Sequence, residues 1–569
     1  MASLTTRLSL RPLLLAASAL LVATGISGGS TAAAGGTAAP PAAGVIQPVR
    51  TCPSLASLDL ASVDARVERA APVTRNGRDF CDVTGYMSPQ THFQVLLPTS
   101  TWRGNYLQQG CGGLCGSSVV SLDDPSRTSG YQVPFRPVSE GEMVVAADDQ
   151  GHAGGGGLWA KDDPQLRVVF GYTSEHSMAV TAKRLISAFY GRGPAYSYFD
   201  GVSDGGRMAL DLAQRYPADF DGIIAGAPAN NWAALIGLLE TWQARANMTA
   251  AGDPILTAEK MPALHAAVMK RCADRNGVLR DPRKCDFDPA SVRCPTGANR
   301  DNCLTPREVR VVRDLYRGPR DAKGRHLYDG GQPYGSELAW KGWLLPERGD
   351  TAWPANTFGP GLGLEYMRYL AFWNNPPAGW DLRDMRYTKK MHDRLQRVGG
   401  IYNATNPDLE PFRARGGKLI IYHGWADEAI PPFGTVNYYR AVTRAMGSTA
   451  TTSSFSRLYM VPGLYHCPCF QPHDGDPATA VQFLPQLTDW VEHNRAPGTV
   501  TLPVTFKTTG EPLPALTISP FDPSSPDPAP AGLNSNYRYV GLRTVYRPSN
   551  QLWCEQRGRT MVCGPEERP

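Results

Sequence analysis

A strong net charge is missing from this sequence. Its 57 Lys and Arg nearly balance 52 Asp and Glu across 569 residues, leaving a net charge of +5 with no long basic run. A nucleic-acid partner, which would be held through phosphate contacts, is therefore not expected. Paired CxxC elements are also missing, which argues against a structural zinc site built from four converging ligands. Histidine is sparse at 10 residues, so each candidate base can be weighed singly. The one long apolar run, from Leu13 to Val22, is short for a bilayer span, and no other stretch competes with it, so no stable membrane anchor is expected.

The rest of the composition, 42% hydrophobic and 19% charged, is that of a globular protein with ample material for a large core. The N-terminus reads as an export signal: Arg7 and Arg11, the apolar run, then small residues through Gly28 to Ala34. Residues 1–34 are assigned to this signal and a low-complexity leader, whose Ala, Gly, Pro and Thr continue to about Gly44. A secreted, soluble mature protein is expected. The 12 cysteines then read as disulfide partners, and their spacing singles out Cys111 with Cys115, Cys272 with Cys285, Cys294 with Cys303, Cys467 with Cys469 and Cys554 with Cys563.

Tyr196 to Phe199 reads as a strand, Arg207 to Tyr216 as a helix stopped by Pro217, and Gly222 to Ala225 as a buried strand. This βαβ unit implies a parallel sheet. Met143 to Ala147, Leu419 to Tyr422 and Leu458 to Val461 read as further buried strands. The stretch from Asn230 to Thr405 has a different texture, rich in Trp, Pro, Arg and Cys and without clear βα alternation. The predicted architecture is an α/β core with a mainly parallel sheet, in two parts over 45–229 and 406–569, interrupted by a large inserted lid domain over 230–405.

Between the first strand and helix stands Gly201-Val202-Ser203-Asp204-Gly205, a G-x-S-x-G nucleophile elbow. The turn is too tight for side chains at the flanking positions, and its strain lifts the serine hydroxyl clear of the sheet. A serine needs a base. His466 follows one strand end and Asp427 another, and the order Ser203, Asp427, His466 is that of the α/β-hydrolases. Sites in such sheets form beyond the carboxyl ends of the strands. Glu428 is the rival acid. His152 and His176 precede the serine, the wrong order, and His176 reads as a structural contact near the site. His423 is a supporting group. The Asp204 side chain reads as a substrate or loop contact. The predicted oxyanion hole takes the N–H of Asp204 and one from the Gly-rich stretch Gly104–Gly113, with Gly112 and Gly113 both open.

These stretches resemble the tannase and feruloyl esterase family. The similarity runs through Trp102–Asn105 and Gly110–Gly113, then Phe170–Tyr172 with His176, then Tyr198–Arg207. It continues through Asp281–Arg283 with Cys285 and Asp288-Pro289, Cys303–Thr305, His423–Ile430 and Val461–Cys467. The resemblance implies an α/β-hydrolase core, a large lid, and a serine carboxylic-ester hydrolase acting through an acyl-enzyme on esters of phenolic or other aromatic acids, free or polymer-linked. No cofactor is required for that chemistry. The readings that compete with it are a serine peptidase or aminoacyl-ester hydrolase with the same triad, and a non-catalytic secreted binding protein on a hydrolase fold.

Two departures stand out. The family usually joins a cysteine before the nucleophile to one after the histidine. Here Val202 precedes Ser203, so Cys467 is expected to pair elsewhere, with Cys469, Cys111 or Cys115, or to stay free. Family members often carry an aspartate-rich calcium loop. Here Cys272–Asp281 is short and holds Arg275 and Arg280, which is poor for a cation that wants six or more oxygens, so calcium is not expected. The lid supplies Trp353, Phe358, Tyr366, Arg368, Tyr369, Phe372 and Trp373, as pocket lining or as packing. Asn247-Met248-Thr249 and Asn403-Ala404-Thr405 are glycosylation acceptors if the host glycosylates.

Overall fold

Runs of apolar residues without strict alternation form strands buried on both faces. In the computed structural model, which describes residues 44–127, 132–466, 477–479, 481–506, 512–525, 552–557 and 560–565, such runs build the centre of a nine-stranded sheet. The expected leader, Cys467 and Cys469 lie outside the described residues.

The strands are β1 (Ala65–Arg75), β2 (Arg78–Met87), β3 (Thr91–Pro98), β4 (Asn105–Gln109), β5 (Met143–Asp148), β6 (Tyr196–Val202), β7 (Gly222–Gly226), β8 (Lys418–Gly424) and β9 (Ser456–Val461). Their order is β1-β2-β3-β5-β4-β6-β7-β8-β9. From β5 to β9 every neighbouring pair is parallel, and β1, β2 and β3 join as an antiparallel flank. The five strands read from sequence are thus present, each within a residue or two at its ends except β6, which runs on to Val202, next to the candidate nucleophile Ser203.

Side chains alternate between two cores. Phe199, Ile223, Leu419, Ile421 and Leu458 face one, with helices α1 (Ser174–Tyr190) and α2 (Asp204–Arg215) packed over them. Between β7 and β8 the chain makes a long excursion that adds no strand to the sheet. It carries helices α3 (Met261–Cys272), α4 (Pro306–Arg317) and α5 (Phe358–Tyr369) around a core that includes Trp232, Leu264, Val312, Trp340 and Tyr366 and that Phe170, Ala429 and Ile430 join from outside the excursion. Tyr198, Ile224, Ile420, Tyr422 and Tyr459 face the second side of the sheet, covered by helix α6 (Leu484–His493). A three-stranded antiparallel sheet, β10 (Pro477–Thr479), β11 (Val500–Phe506) and β12 (Pro512–Ile518), adds Val500, Leu502, Leu516 and Ile518 to that side. None of the described helices is long and apolar enough to cross a membrane.

Disulfides join Cys111 to Cys115, Cys272 to Cys285 and Cys294 to Cys303, as the spacings suggested, and also Cys52 to Cys81, which the spacings did not. Cys554 and Cys563 stand opposite each other in a C-terminal hairpin. Because Cys111 and Cys115 bond to one another, neither is a partner for Cys467.

The glycosylation reading is corrected. Asn247 is buried, its amide donating to the Leu256 carbonyl at 2.9 Å and accepting from the Leu256 N–H at 2.8 Å. Asn403 is likewise buried and bonded to Ala233 and Gln396. Neither side chain is presented to solvent.

Candidate active site

Ser203 sits at the corner where β6 ends and α2 begins, with φ 67° and ψ −119°. For a residue with a Cβ this conformation costs about 1–3 kcal/mol and persists only where the surroundings impose it. The neighbouring glycines impose it here. A Cβ on Gly201 would come 2.5 Å from the Gly205 carbonyl, and one on Gly206 would overlap the Gly226 carbonyl. The Ser203 N–H donates to Gly226 O at 3.0 Å, tying the corner to β7.

The loops after β8 and β9 bring Asp427 and His466 to this corner. The Ser203 hydroxyl lies 2.9 Å from His466 Nε2, and His466 Nδ1 lies 2.8 Å from Asp427 Oδ2. With Nδ1–H donating to the carboxylate, Nε2 is left to accept from the serine. Asp427 Oδ1 accepts the N–H groups of Ala429 and Ile430 at 3.0 and 2.7 Å. His423 Nε2 lies 3.1 Å from Asp427 Oδ2. Burial alone would raise the Asp427 pKa, but the His466 ring and the hydrogen bonds from both histidines outweigh it and hold it down to about 2.

Glu428, the rival acid, does not reach the imidazole. Its Oε2 accepts the backbone N–H of His466 at 3.0 Å, and burial, with Asp427 alongside, pushes its carboxyl well above the usual range. The two adjacent acids are therefore shifted in opposite directions.

The Gly-rich loop packs against the start of α2. A Cβ on Gly110 would lie 2.8 Å from Gly205 Cα, and one on Gly205 would meet the Cys111 backbone at 3.1 Å. The Cys111–Cys115 disulfide closes this loop around Gly112 and Gly113. His152, too early in the chain to be the base, bonds through Nε2 to the Leu114 carbonyl and stacks on Trp159, supporting the loop from beneath. The Asp204 side chain is a loop contact and not a substrate contact: it is fully buried against Arg207, with Cys115 Sγ 3.7 Å away. His176, on α1, is a structural contact as expected, but it serves the far end of α2 from the serine: it bonds Asp219 at 2.7 Å and stacks on Tyr216.

From the excursion, Trp343 meets His466 edge-on with centroids 5.4 Å apart and packs on Phe358 at 4.7 Å. No sequence signal distinguished Trp343 from the other tryptophans. A cavity of about 410 Å³ lies between the loop Gly112–Cys115 and α5, with Phe358, Leu362 and Arg368 on its wall. Of the other aromatic residues singled out, Tyr366, Phe372 and Trp353 are packing residues and Trp373 is 41% exposed. The loop matching the family's calcium segment does not fit a cation. Asp274 is paired with Arg280 at 2.7 Å and Asp281 with Arg283 at 2.9 Å, so guanidinium groups already hold the carboxylates that a hard ion would need.

Residues 72–518 match the family model described as tannase and feruloyl esterase. An uncharacterised esterase of Xanthomonas campestris is 32% identical over 462 residues, covering 74% of this chain and 76% of that protein. The mono(2-hydroxyethyl) terephthalate hydrolase of Piscinibacter sakaiensis is 28% identical over 493 residues, covering 75% and 79%. The crystal structure of feruloyl esterase B from Aspergillus oryzae superposes with a TM-score of 0.68 at 23% identity, over 83% of this chain and 96% of that one, and shares the fold. This chain belongs to the tannase and feruloyl esterase family and is a carboxylic ester hydrolase.

Proposed function

We propose that the protein is a secreted serine esterase acting on esters of phenolic or other aromatic acids, with Ser203 as nucleophile, His466 as general base and Asp427 as the acid that orients it. The observation that carries this reading is the continuous line of hydrogen bonds, 2.9 Å from serine to imidazole and 2.8 Å from imidazole to carboxylate. As His466 Nε2 takes the hydroxyl proton, Ser203 Oγ bonds to the ester carbonyl carbon. The negative charge on the carbonyl oxygen is received by the N–H of Asp204 and one from Gly112 or Gly113. Collapse of the intermediate breaks the carbon–alkoxy bond, and His466 returns its proton to the departing alcohol. Water then repeats the cycle on the acyl-enzyme. Asp427 stays ionised throughout, stabilising the imidazolium without taking the proton.

The excursion over 230–405 serves as the lid. Trp343 and Phe358 give it an aromatic face beside His466, which suits a planar acyl group, and the cavity against α5 has room for one aromatic ester. The named activities of the relatives, on feruloyl and terephthalate esters, support the same class. Export is supported by the four disulfides of the described residues together with the N-terminal apolar run.

Hydrolysis of methyl ferulate, methyl gallate and a terephthalate monoester by wild type and by Ser203→Ala tests the reading. Turnover of at least one ester by wild type, lost in the variant, is expected. Full activity in the variant would overturn the nucleophile assignment. Failure of wild type on all three, with cleavage of a peptide or aminoacyl ester, would move the activity to that class.

A further inference from the structure

The loops after β8 and β9 are laced together by backbone bonds that reach to Leu464, two residues before the proposed catalytic histidine. Trp425 N–H donates to Val461 O at 2.8 Å and Ala426 N–H to Leu464 O at 3.2 Å, while Gly424 has no Cβ and so lets the Leu464 carbonyl come close. Two residues beyond Leu464 the contact is made by a side chain: the His466 N–H donates to Glu428 Oε2 at 3.0 Å. The strand on the nucleophile side contributes no covalent tie, because the residue before Ser203 is the buried Val202. Two consecutive acids thus grip one histidine at two points, Asp427 on the ring and Glu428 on the backbone. With both points held, Nε2 has little freedom except to face Ser203.

We infer that Glu428 is a positioning residue of the esterase, whose carboxyl anchors the His466 backbone and so sets the distance between the imidazole and Ser203. Its own backbone is held from the excursion. Gln332, fully buried, donates through Nε2 to the Glu428 carbonyl at 2.8 Å. The Ser336 hydroxyl lies 3.4 Å from Gln332 Oε1 and in turn accepts the Trp340 indole N–H at 2.8 Å. The anchor needs only an oxygen that accepts an N–H, which the carbonyl oxygen of an amide also supplies, and burial with the charge of Asp427 alongside pushes the carboxyl towards its neutral form.

This inference rests on the triad reading, and the test separates the two. Glu428→Gln, Glu428→Leu and Glu428→Asp would be compared with wild type and Ser203→Ala for kcat, KM, melting temperature and rate of labelling by a serine-directed phosphonate. The glutamine keeps the acceptor in place. The leucine removes it, and the aspartate draws it back by one methylene. Expected are a Gln variant within two- to threefold of wild type, and Leu and Asp variants with kcat and labelling lowered at least tenfold while KM stays within twofold. A folded Leu variant with kcat within twofold of wild type would overturn the inference, as would a Gln variant as slow as Leu. Should Leu fail to fold, Gln against Asp decides, and equal rates for those two overturn it. If Ser203→Ala retains activity, the triad reading itself fails, whatever the Glu428 variants do.

Discussion

Arg207 and Asp204 form an ion pair sealed from solvent directly behind Ser203, the proposed nucleophile, their side chains 1% and 0% exposed. The guanidinium also donates to the carbonyls of Gly171 at 2.6 Å and Phe170 at 3.2 Å and lies over the rings of Phe170 and Trp232. It thus ties the first turn of α2, which carries the proposed oxyanion donor, to the segment leading into α1.

Arg207→Met strands the Asp204 charge in a dry site. A loss of about 3–5 kcal/mol in unfolding free energy is expected, read by guanidinium denaturation. The double variant Asp204→Leu, Arg207→Met should recover part of that loss, because no orphan charge remains. A neutral single variant would show that water reaches the pair.

Asp427 governs the acid side. Its carboxylate is held near 2 in the folded protein, below the ordinary value of 3.8, so its contribution to stability is complete above about 4 and is lost as pH falls through about 2. Asp427→Asn should be less stable than wild type at neutral pH, with the difference closing between pH 4 and 2. Its kcat should fall by about 10⁴-fold, as the imidazole loses its orienting charge. Denaturation curves across pH 2–7, with initial rates at neutral pH, test both.

Asp200, on β6 behind the elbow, works in the opposite direction. Burial raises its pKa to about 8, Gln132 donates to one oxygen at 2.9 Å, and the other has no hydrogen-bond partner among the described residues. A raised carboxyl favours the fold most below its unfolded value near 4 and withdraws that stability as pH rises towards 8. Asp200→Asn should flatten the fall in melting temperature between pH 4 and 8. An unchanged slope would show that other buried acids, Asp148 at about 6 among them, dominate it.

The short disulfide loop of Cys111 and Cys115 carries left-handed residues at Gly113 and Cys115, with φ of 62° and 61°, and Gly116 just after it has φ 89°. Replacing both cysteines by alanine should cost about 2 kcal/mol by loop entropy. It should also lower kcat more than it raises KM, since the freed segment holds the candidate oxyanion glycines. Steady-state kinetics beside thermal melts would check this.

The elbow and the order Ser203, Asp427, His466 were legible because each sits at the end of a buried apolar run, and that pattern survives in sequence. What was not legible arises across the chain or at the surface. Strands β1 to β3 are antiparallel and β1 is half-exposed, so its apolar signal is weak. Cys52 and Cys81 lie 29 residues apart and meet only because the short helical turn Cys52–Ser57 packs against the hairpin of β1 and β2. Glu428 looked like a rival to Asp427 because adjacency says nothing of direction. Only the fold reveals that one points to the ring and the other to the backbone N–H. Trp343 reaches His466 from a segment with no periodicity to mark it.

Gly222 of β7 lies beside Lys418 of β8, so consecutive neighbours in the sheet are joined by residues 227–417. In an ordinary α/β unit a single helix makes that crossing. The closure cost of a longer connection grows only with the logarithm of its length, so the sheet barely registers what has been spliced in. The two parts then answer to different demands. The ends of β6, β8 and β9, which hold the proposed triad, tolerate little displacement, whereas the crossing need only return the chain from Gly226 to Lys418 and is free in length and in where its disulfides fall.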